Sequence, residues 1–397
     1  MKVSILHTDF RIYWPARIKV LHSYLKSKGI ELTVVEIAGK GSPYAFAKQH
    51  ENCGLHWSIL FPFAKMEALK GSDIEKAINS KLNELSPDIV IAGAIAFPSG
   101  AIAIAWAKNN NKKVIIFDDA KVEDVKRNCF INFIKQNIYN GVDAMIYPSI
   151  EWEDTGLFWN FRKEQLFYGL DVVDNSFWQQ NNKKQIKIDH KYFLSIGRQI
   201  PKKNFIFLLN CYKQYKNAFK EKSYKLVLVG EGDERKNIEA FIHENQLEKD
   251  IILFPYLQQK ELISIYQNAE AFIIASKQDE TWGLVINEAM ACGLPIIASE
   301  KCGATHTLVQ ENINGYVFSP SDKSDLINKL CSFHLSTEDN KKRMKEASLK
   351  IISNWDLDRF SKACYEAIQY TCRTKKKRQS LLSSIFIKLW KGRYRPI

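Results

Sequence analysis

Asp279-Glu280-Thr281-Trp282-Gly283-Leu284-Val285-Ile286-Asn287-Glu288-Ala289-Met290-Ala291-Cys292-Gly293-Leu294-Pro295-Ile296-Ile297 carries more structural information than any other part of this chain. It predicts a loop, a short helix beginning near Gly283, a turn at Gly293 and a buried strand. Glu280 precedes the helix and Glu288 lies inside it. Helical side chains lean toward the helix N-terminus, so Glu288 can reach the end that Glu280 guards. That end carries unpaired N–H groups and the positive pole of the helix dipole, which favour an anion such as a diphosphate. Gly283 lets a ligand approach the backbone closely. Two carboxylates repel a phosphate, so their expected role is to accept hydrogen bonds from hydroxyls. A ligand with hydroxyls on both sides of a diphosphate is a nucleotide sugar.

Working outward, Ala271–Ala275 reads as the strand before this motif, and 299–307 as a turn into a further helix at Gly303. Tyr192–Ile196 is a strand that runs into Gly197-Arg198-Gln199-Ile200-Pro201-Lys202-Lys203-Asn204. Lys225–Val229 is another, ending at Gly230-Glu231-Gly232-Asp233. Ile251–Tyr256 and a Lys260–Asn268 helix follow. Alternation of short apolar strands with helices predicts a parallel sheet with ligands at the carboxyl ends of its strands.

The words Glu-Thr-Trp-Gly-Leu-Val (280–285), Asn-Glu-Ala-Met-Ala-Cys-Gly-Leu-Pro (287–295) and Asn314-Gly315-Tyr316-Val317-Phe318 resemble the donor-site signature of family-4 retaining glycosyltransferases (glycosyl transferases group 1). That resemblance covers most of residues 85–370 and is strongest from Arg198 to Phe318. It implies an α/β GT-B fold, two Rossmann-like domains facing across a cleft. It implies that Arg198 and Lys203 clamp the donor diphosphate, and two fixed cations match that charge without needing a metal. A basic surface turn is the plainer reading of this pair. The resemblance further implies that Glu280 holds the donor-sugar hydroxyls and Glu288 the ribose diol. Gly197, Gly230, Tyr256, Trp282, Gly283, Leu284 and Val285 would line the donor site. Transfer with retention, by front-side attack, comes from the resemblance alone. The expected partners are a nucleotide-sugar donor, bound as substrate rather than as a resident cofactor, and a saccharide or lipid-linked acceptor. No metal site is expected, and Asp356-Leu357-Asp358 reads as the start of a helix rather than as a ligand set.

The chain departs from the family in three places. Its β–α loop Thr8-Asp9-Phe10-Arg11-Ile12-Tyr13-Trp14-Pro15 lacks the usual Gly-rich turn, Tyr256 replaces a common Gly, and His306-Thr307 stands where an acid is frequent.

The N-terminal half opens as a Rossmann half: strand Lys2–His7, helix Ala16–Lys28, strand Glu31–Ile37. Residues 40–70 read as irregular and aromatic (Tyr44, Phe46, Trp57, Phe63), either an acceptor-shaping segment or a surface loop. Ile89–Ala107 has no charged residue, yet Pro98-Ser99-Gly100 splits it into a strand and a small-residue helix, so it is not a membrane span. Val114–Phe117 is a strand ending at Asp118-Asp119. Either acid is an acceptor-side candidate; the alternative is a cap for a helix over Val122–Tyr139. Asp143–Pro148 forms another strand. The expected domains are 1–177 (acceptor), 188–355 (donor), a helix over 356–372 crossing back to the first domain, and a tail over 373–397. Residues 179–187 read as a linker.

The 397 residues, 46% hydrophobic and 25% charged, suit a soluble protein with two sizeable cores. Eight Cys without CxxC spacing, in a chain that begins directly with a strand, read as reduced cytosolic thiols. From Thr371 to Ile397 there are nine Lys or Arg and no acid, and setting these nine aside lowers the net charge from +13 to +4. Within that tail Leu381, Leu382, Ile385, Phe386, Leu389 and Trp390 share a helical face that Ile387 spoils. A basic amphipathic helix with Trp suits an anionic membrane surface; a disordered tail or a helix docked on the body are the alternatives. The expected location is cytoplasmic, peripheral on the inner face of the membrane, in envelope polysaccharide or lipopolysaccharide assembly. An epimerase or phosphorylase of the same fold stays open. Nucleic acid is not an expected partner, because the basic residues interleave with no recognisable module.

Overall fold

The computed structural model describes residues 1–40, 55–180, 186–278, 280–375 and 380–392. Tyr44 and Phe46, the 181–185 part of the linker, Asp279, and Lys376, Lys377, Arg378, Arg393 and Arg395 of the tail lie outside these residues. The chain forms two compact units, one of residues 1–172 with 357–397 and the other of residues 173–356.

The first unit is built on seven strands: β1 (Lys2–His7), β2 (Glu31–Ala38), β3 (Trp57–Phe61), β4 (Ile89–Ala92), β5 (Lys113–Phe117), β6 (Ala144–Tyr147) and β7 (Leu166–Tyr168). They pair in parallel, in the order β3-β2-β1-β4-β5-β6-β7. β4, β5 and β6 are buried nearly end to end, which is why they read as short unbroken apolar runs rather than alternating ones. The Leu357–Arg373 helix packs on the Trp14–Ser27 helix of this unit.

The second unit has six parallel strands: β8 (Tyr192–Ile196), β9 (Lys225–Val229), β10 (Ile251–Phe254), β11 (Ala271–Ile274), β12 (Ile296–Ser299) and β13 (Gly315–Phe318), in the order β10-β9-β8-β11-β12-β13. Phe193, Tyr212, Tyr215, Ile273 and Phe333 belong to its core cluster. In each sheet the strand order reverses once, between β1 and β4 and between β8 and β11. A parallel sheet opens a crevice at the carboxyl ends of such a pair, so these are the two places to look for chemistry.

Several elements differ from the sequence reading. Residues 57–61 form the edge strand β3, held to β2, where an irregular segment is expected. The expected Val122–Tyr139 helix is a single 3-10 turn at Val122–Asp124 followed by a helix at Cys129–Tyr139. Asn128 caps that helix, accepting from the Ile131 N–H at 2.8 Å, so Asp118 and Asp119 do not. Ile89–Ala107 divides into β4 and the Pro98–Asn109 helix. Among the described residues no helix is long and apolar enough to cross a membrane.

The tail carries a helix over Leu381–Leu389, and it is docked on the first unit. Ser383 Oγ donates to the Asn137 carbonyl at 2.6 Å, and Trp390 Nε1 donates to the Ile95 carbonyl at 2.8 Å. Ile387, the residue that interrupts the sequence pattern, is the one buried against the body, at 3% exposure.

Candidate active site

The exits of β8 and β11 meet in the second unit. After β8 the chain makes Gly197-Arg198-Gln199, then one 3-10 turn at Pro201–Lys203. The N–H of Gly197 donates to the Val229 carbonyl at 3.0 Å, which ties this exit to that of β9. Gly230, the first residue after β9, has φ +136°, and a Cβ there would lie 2.1 Å from the Gly197 carbonyl oxygen. Only glycine lets these two loops come so close. The side chain of Lys203 then lies over Gly197.

Lys203 ends on the carboxylate of Glu280. Its Nζ is 2.5 Å from Glu280 Oε2, with both side chains 13% exposed, and Ser276 Oγ donates to the same oxygen at 3.0 Å. Burial pushes the Glu280 carboxyl up, but the ammonium of Lys203, with help from Lys202 and Ser276, outweighs it. The net position is below the usual carboxylate range, so Glu280 is ionised. The Lys277 N–H donates to the Lys202 carbonyl at 2.9 Å, which locks the β8 and β11 exits together.

The loop from Glu280 to Gly283 is held from beneath by the start of the Gly303–Leu308 helix. The Gly303 N–H donates to the Glu280 carbonyl at 2.9 Å, and the Ala304 N–H to the Trp282 carbonyl at 2.8 Å. Cys302 Sγ donates to the Trp282 carbonyl at 2.9 Å. Gly283 turns the chain into the Leu284–Ala291 helix with φ +96°, and a Cβ there would be 2.6 Å from Cys302 Sγ. The helix therefore begins beside Glu280, with Leu284 and Val285 half-buried in its first turn. The first N–H groups of such a turn have no intrahelical acceptor; further along it, the Ile286 N–H donates to the Gly283 carbonyl at 2.9 Å.

Trp282 points inward. Its side chain is 2% exposed, donates through Nε1 to Asn287 Oδ1 at 2.8 Å and stacks on Trp355 at 6.2 Å. What it can offer a ligand is backbone, not indole. Glu288 is 2% exposed and accepts from the Tyr266 hydroxyl at 2.7 Å. Tyr256, which follows β10, is partly exposed, and its hydroxyl is pushed up first by burial and then by the charge of Glu288. The charge of Glu288 thus reaches the Tyr256 hydroxyl. Arg198 is half-buried at the β8 exit, beside Gly197.

In the first unit Asp118 follows β5. Its Oδ1 accepts from the Ala120 N–H at 3.0 Å and its Oδ2 from the Tyr139 hydroxyl at 3.3 Å. Burial and the charge of Asp119 raise it to about 6, against the pull of Lys135. The Asp119 carbonyl accepts from Trp152 Nε1 at 2.9 Å. His7, at the end of β1, stacks on Phe117 at 5.4 Å and touches Phe10, Trp14 and Phe97. Its Nδ1 accepts from the Thr8 N–H at 2.7 Å, and burial followed by Arg17 lowers it to about 4, so the ring is neutral.

The structure thus joins Gly197, Lys203, Gly230, Glu280 and Gly283 in one place and brings the charge of Glu288 to bear on Tyr256. Sequence reasoning passed over Ser276, Tyr266 and Cys302, which hold the two carboxylates and their loop. A signal for Ser276 was present, since it stands just past the carboxyl end of a predicted strand at the switch point. Tyr266 and Cys302 gave none.

Residues 176–350 match the family described as "Glycosyl transferases group 1". Over these residues the chain is similar to group 1 glycosyltransferases. They hold every candidate of the second unit, from Gly197 to Glu288. Among curated proteins, an uncharacterized glycosyltransferase of Haemophilus influenzae is 27% identical over 180 residues, 43% of this chain and 50% of that protein. A lipopolysaccharide 1,2-N-acetylglucosaminetransferase of Salmonella typhimurium is 30% identical over 158 residues, 38% of this chain and 41% of that enzyme. The chain thus spans about half the length of the curated relatives it matches, or less. The crystal structure of Anabaena HepE with UDP and glucose aligns with TM-score 0.71 at 16% identity, covering 93% of this chain and 99% of HepE. At that identity the likeness is one of fold, and the chain has the GT-B architecture.

Proposed function

We propose that the chain is a retaining, metal-independent glycosyltransferase that moves a sugar from a nucleotide-sugar donor to an acceptor hydroxyl. The observation that carries this reading is the Lys203–Glu280 pair beside the first turn of the Leu284–Ala291 helix. Without donor, the two side chains neutralise each other. A diphosphate entering the site brings negative charge to Lys203, Arg198 and the first-turn N–H groups. Lys203 then turns its ammonium to the diphosphate, and Glu280 is released to accept hydrogen bonds from sugar hydroxyls. As the glycosidic C–O bond breaks, the growing charge on the departing diphosphate is met by groups already in place. Glu288, held by Tyr266, is the acceptor for the ribose diol, and Tyr256 forms a wall of the same pocket.

Asp118 and Asp119 are assigned to the acceptor side. The names of the relatives support transfer over epimerisation or phosphorolysis. That the Salmonella relative acts on lipopolysaccharide supports an envelope polysaccharide or lipopolysaccharide acceptor, reached from the cytoplasmic side. On this reading the protein is peripheral, with residues 373–397 facing anionic lipid.

A donor screen by nucleoside-diphosphate release, with and without candidate acceptors, tests the reading. One donor should turn over in an acceptor-dependent manner, and Glu280→Gln should cut that turnover roughly 10²–10³-fold in a folded protein. Wild-type turnover by the variant would refute the assignment.

A further inference from the structure

The tail helix has two faces, and the docked one is the smaller. Ser383 and Ile387 face the body. On the opposite side Leu381 is 82% exposed, Leu382 43%, Ile385 44% and Leu389 75%. Residues at spacings of four share a helix face, so Leu381, Ile385 and Leu389 form one apolar stripe turned away from the protein. Lys388 flanks it and is exposed. The Cys129–Tyr139 helix, against which the tail helix packs, adds Phe130 and Phe133, both largely exposed. Phe133 meets Phe386 of the tail edge to face, with ring centroids 6.1 Å apart, so the two helices present adjoining apolar stripes. Val125 and Lys126, exposed just before the second helix, lie at its end.

Charge selects the occupant. From Val125 to Val142, and again from Thr371 to Ile397, the chain contains no Asp or Glu, while Lys126, Arg127, Lys135 and the tail cations are all basic. Lys391 is paired with Glu75, and Glu123-Asp124 precede Val125, so cations outnumber acids here rather than exclude them. Apolar side chains at this exposure, on two stretches whose own charged residues are all basic, fit the headgroup boundary of an anionic bilayer.

We propose that the Cys129–Tyr139 and Leu381–Leu389 helices together form a two-helix platform that inserts its aromatic and leucine stripes into an anionic membrane surface. The tail is therefore not a loose anchor. It is one half of a rigid face whose other half belongs to the body of the first unit. Trp390, bonded to the β4 exit at Ile95, and Gly392, against Phe97 and Pro98, fix the end of this platform at the carboxyl edge of the first sheet. A lipid-linked acceptor held in the bilayer would thus meet the protein beside that edge. This part of the inference rests on the transferase reading; membrane docking itself does not.

The test is co-sedimentation of the full chain with vesicles of phosphatidylcholine, with and without phosphatidylglycerol. Thermal melts confirm folding, and sedimentation equilibrium without lipid monitors self-association. The chain should bind only the anionic vesicles, less tightly as salt rises. Phe130→Ser with Phe133→Ser, which leaves the tail untouched, should weaken binding at least about tenfold. Leu381→Ser with Leu389→Ser should do the same. Wild-type binding by the Phe130/Phe133 variant would overturn the platform in favour of a lone tail. So would the absence of vesicle binding, or self-association of the wild type that the variants abolish, which would make a second copy the occupant. Nucleoside-diphosphate release with a soluble acceptor reads the transferase separately, and these variants should leave it unchanged.

Discussion

The two sheets reverse their strand order in the same way, and their switch points have been given opposite contents. In the second unit the exits of β8 and β11 hold a glycine turn, Lys203, Glu280 and the start of a helix. In the first unit the exits of β1 and β4 hold His7, Phe10, Trp14 and Phe97, packed ring on ring. Arg11 is buried there with its guanidinium on the Gly39 carbonyl, and Glu36 braces the loop by accepting from the Phe10 N–H and from Trp57 Nε1. Burial raises Glu36 to about 7. One crevice is lined by charged side chains and a helix start; the other is filled by aromatic side chains of the protein itself. Topology alone thus marks where a ligand can sit, and the residues at the strand ends determine whether it does.

The largest effect should come from the charged crevice. Glu280→Gln keeps the shape and the approach of Ser276 but removes the negative charge. Turnover should fall roughly 10²–10³-fold, read by nucleoside-diphosphate release, with an unchanged urea midpoint. Next is the glycine turn that makes the crevice possible. Gly230→Ala places a Cβ against the Gly197 carbonyl at a φ of +136°, and should cost about 2–3 kcal/mol in urea unfolding. A neutral result would mean that the two loops need not touch.

Asp118 offers a pH test on the first unit. Its folded value is raised from 3.8 to about 6, so it is neutral below and ionised above that pH. If the carboxylate serves the acceptor hydroxyl, kcat/KM should rise with pH through about 6, and Asp118→Asn should lose that limb. The same shift fixes the sign for stability. The contribution is full below the unfolded value of 3.8 and is lost as pH rises through about 6. The Asn variant should therefore show a smaller loss of stability over that window. The smallest effect is expected at Ile12, which takes a left-handed φ of +57° in the filled crevice, a conformation that glycine adopts freely. Ile12→Gly relieves about 1–2 kcal/mol of strain but adds unfolded-state freedom of about 0.5–1 kcal/mol, so the melt should shift little and turnover not at all. A gain of turnover would show that the first crevice takes part in donor binding.

Much of the fold could be read from the chain because buried parallel strands announce themselves. Ile89–Ala92, Val114–Phe117 and Leu226–Val229 are apolar runs too short to be helices, each bounded by polar or turn residues. The edge strand β3 could not, since it is half-buried along its whole length and Ser58 interrupts its apolar residues. The break at Val125–Asn128 was hidden by residues compatible with a helix, and only the Asn128 cap marks the true start. In the site, the motif words located Lys203 and Glu280, but their contact joins residues 77 apart in sequence. Trp282 shows the reverse error. As a motif residue it suggests a ligand contact, whereas its indole is spent on Asn287 and Trp355. The tail pattern identified a helix but not its orientation, because Ile387 looked like a flaw until the body it packs against was in view.

On the proposed mechanism Lys203 leaves Glu280 to take up the donor diphosphate. Calorimetric titration of the nucleoside diphosphate returned by the donor screen, into wild type and Lys203→Met, tests this directly. The variant should bind at least about tenfold more weakly, and the difference should shrink in high salt. Equal affinity in the two proteins would contradict that mechanism.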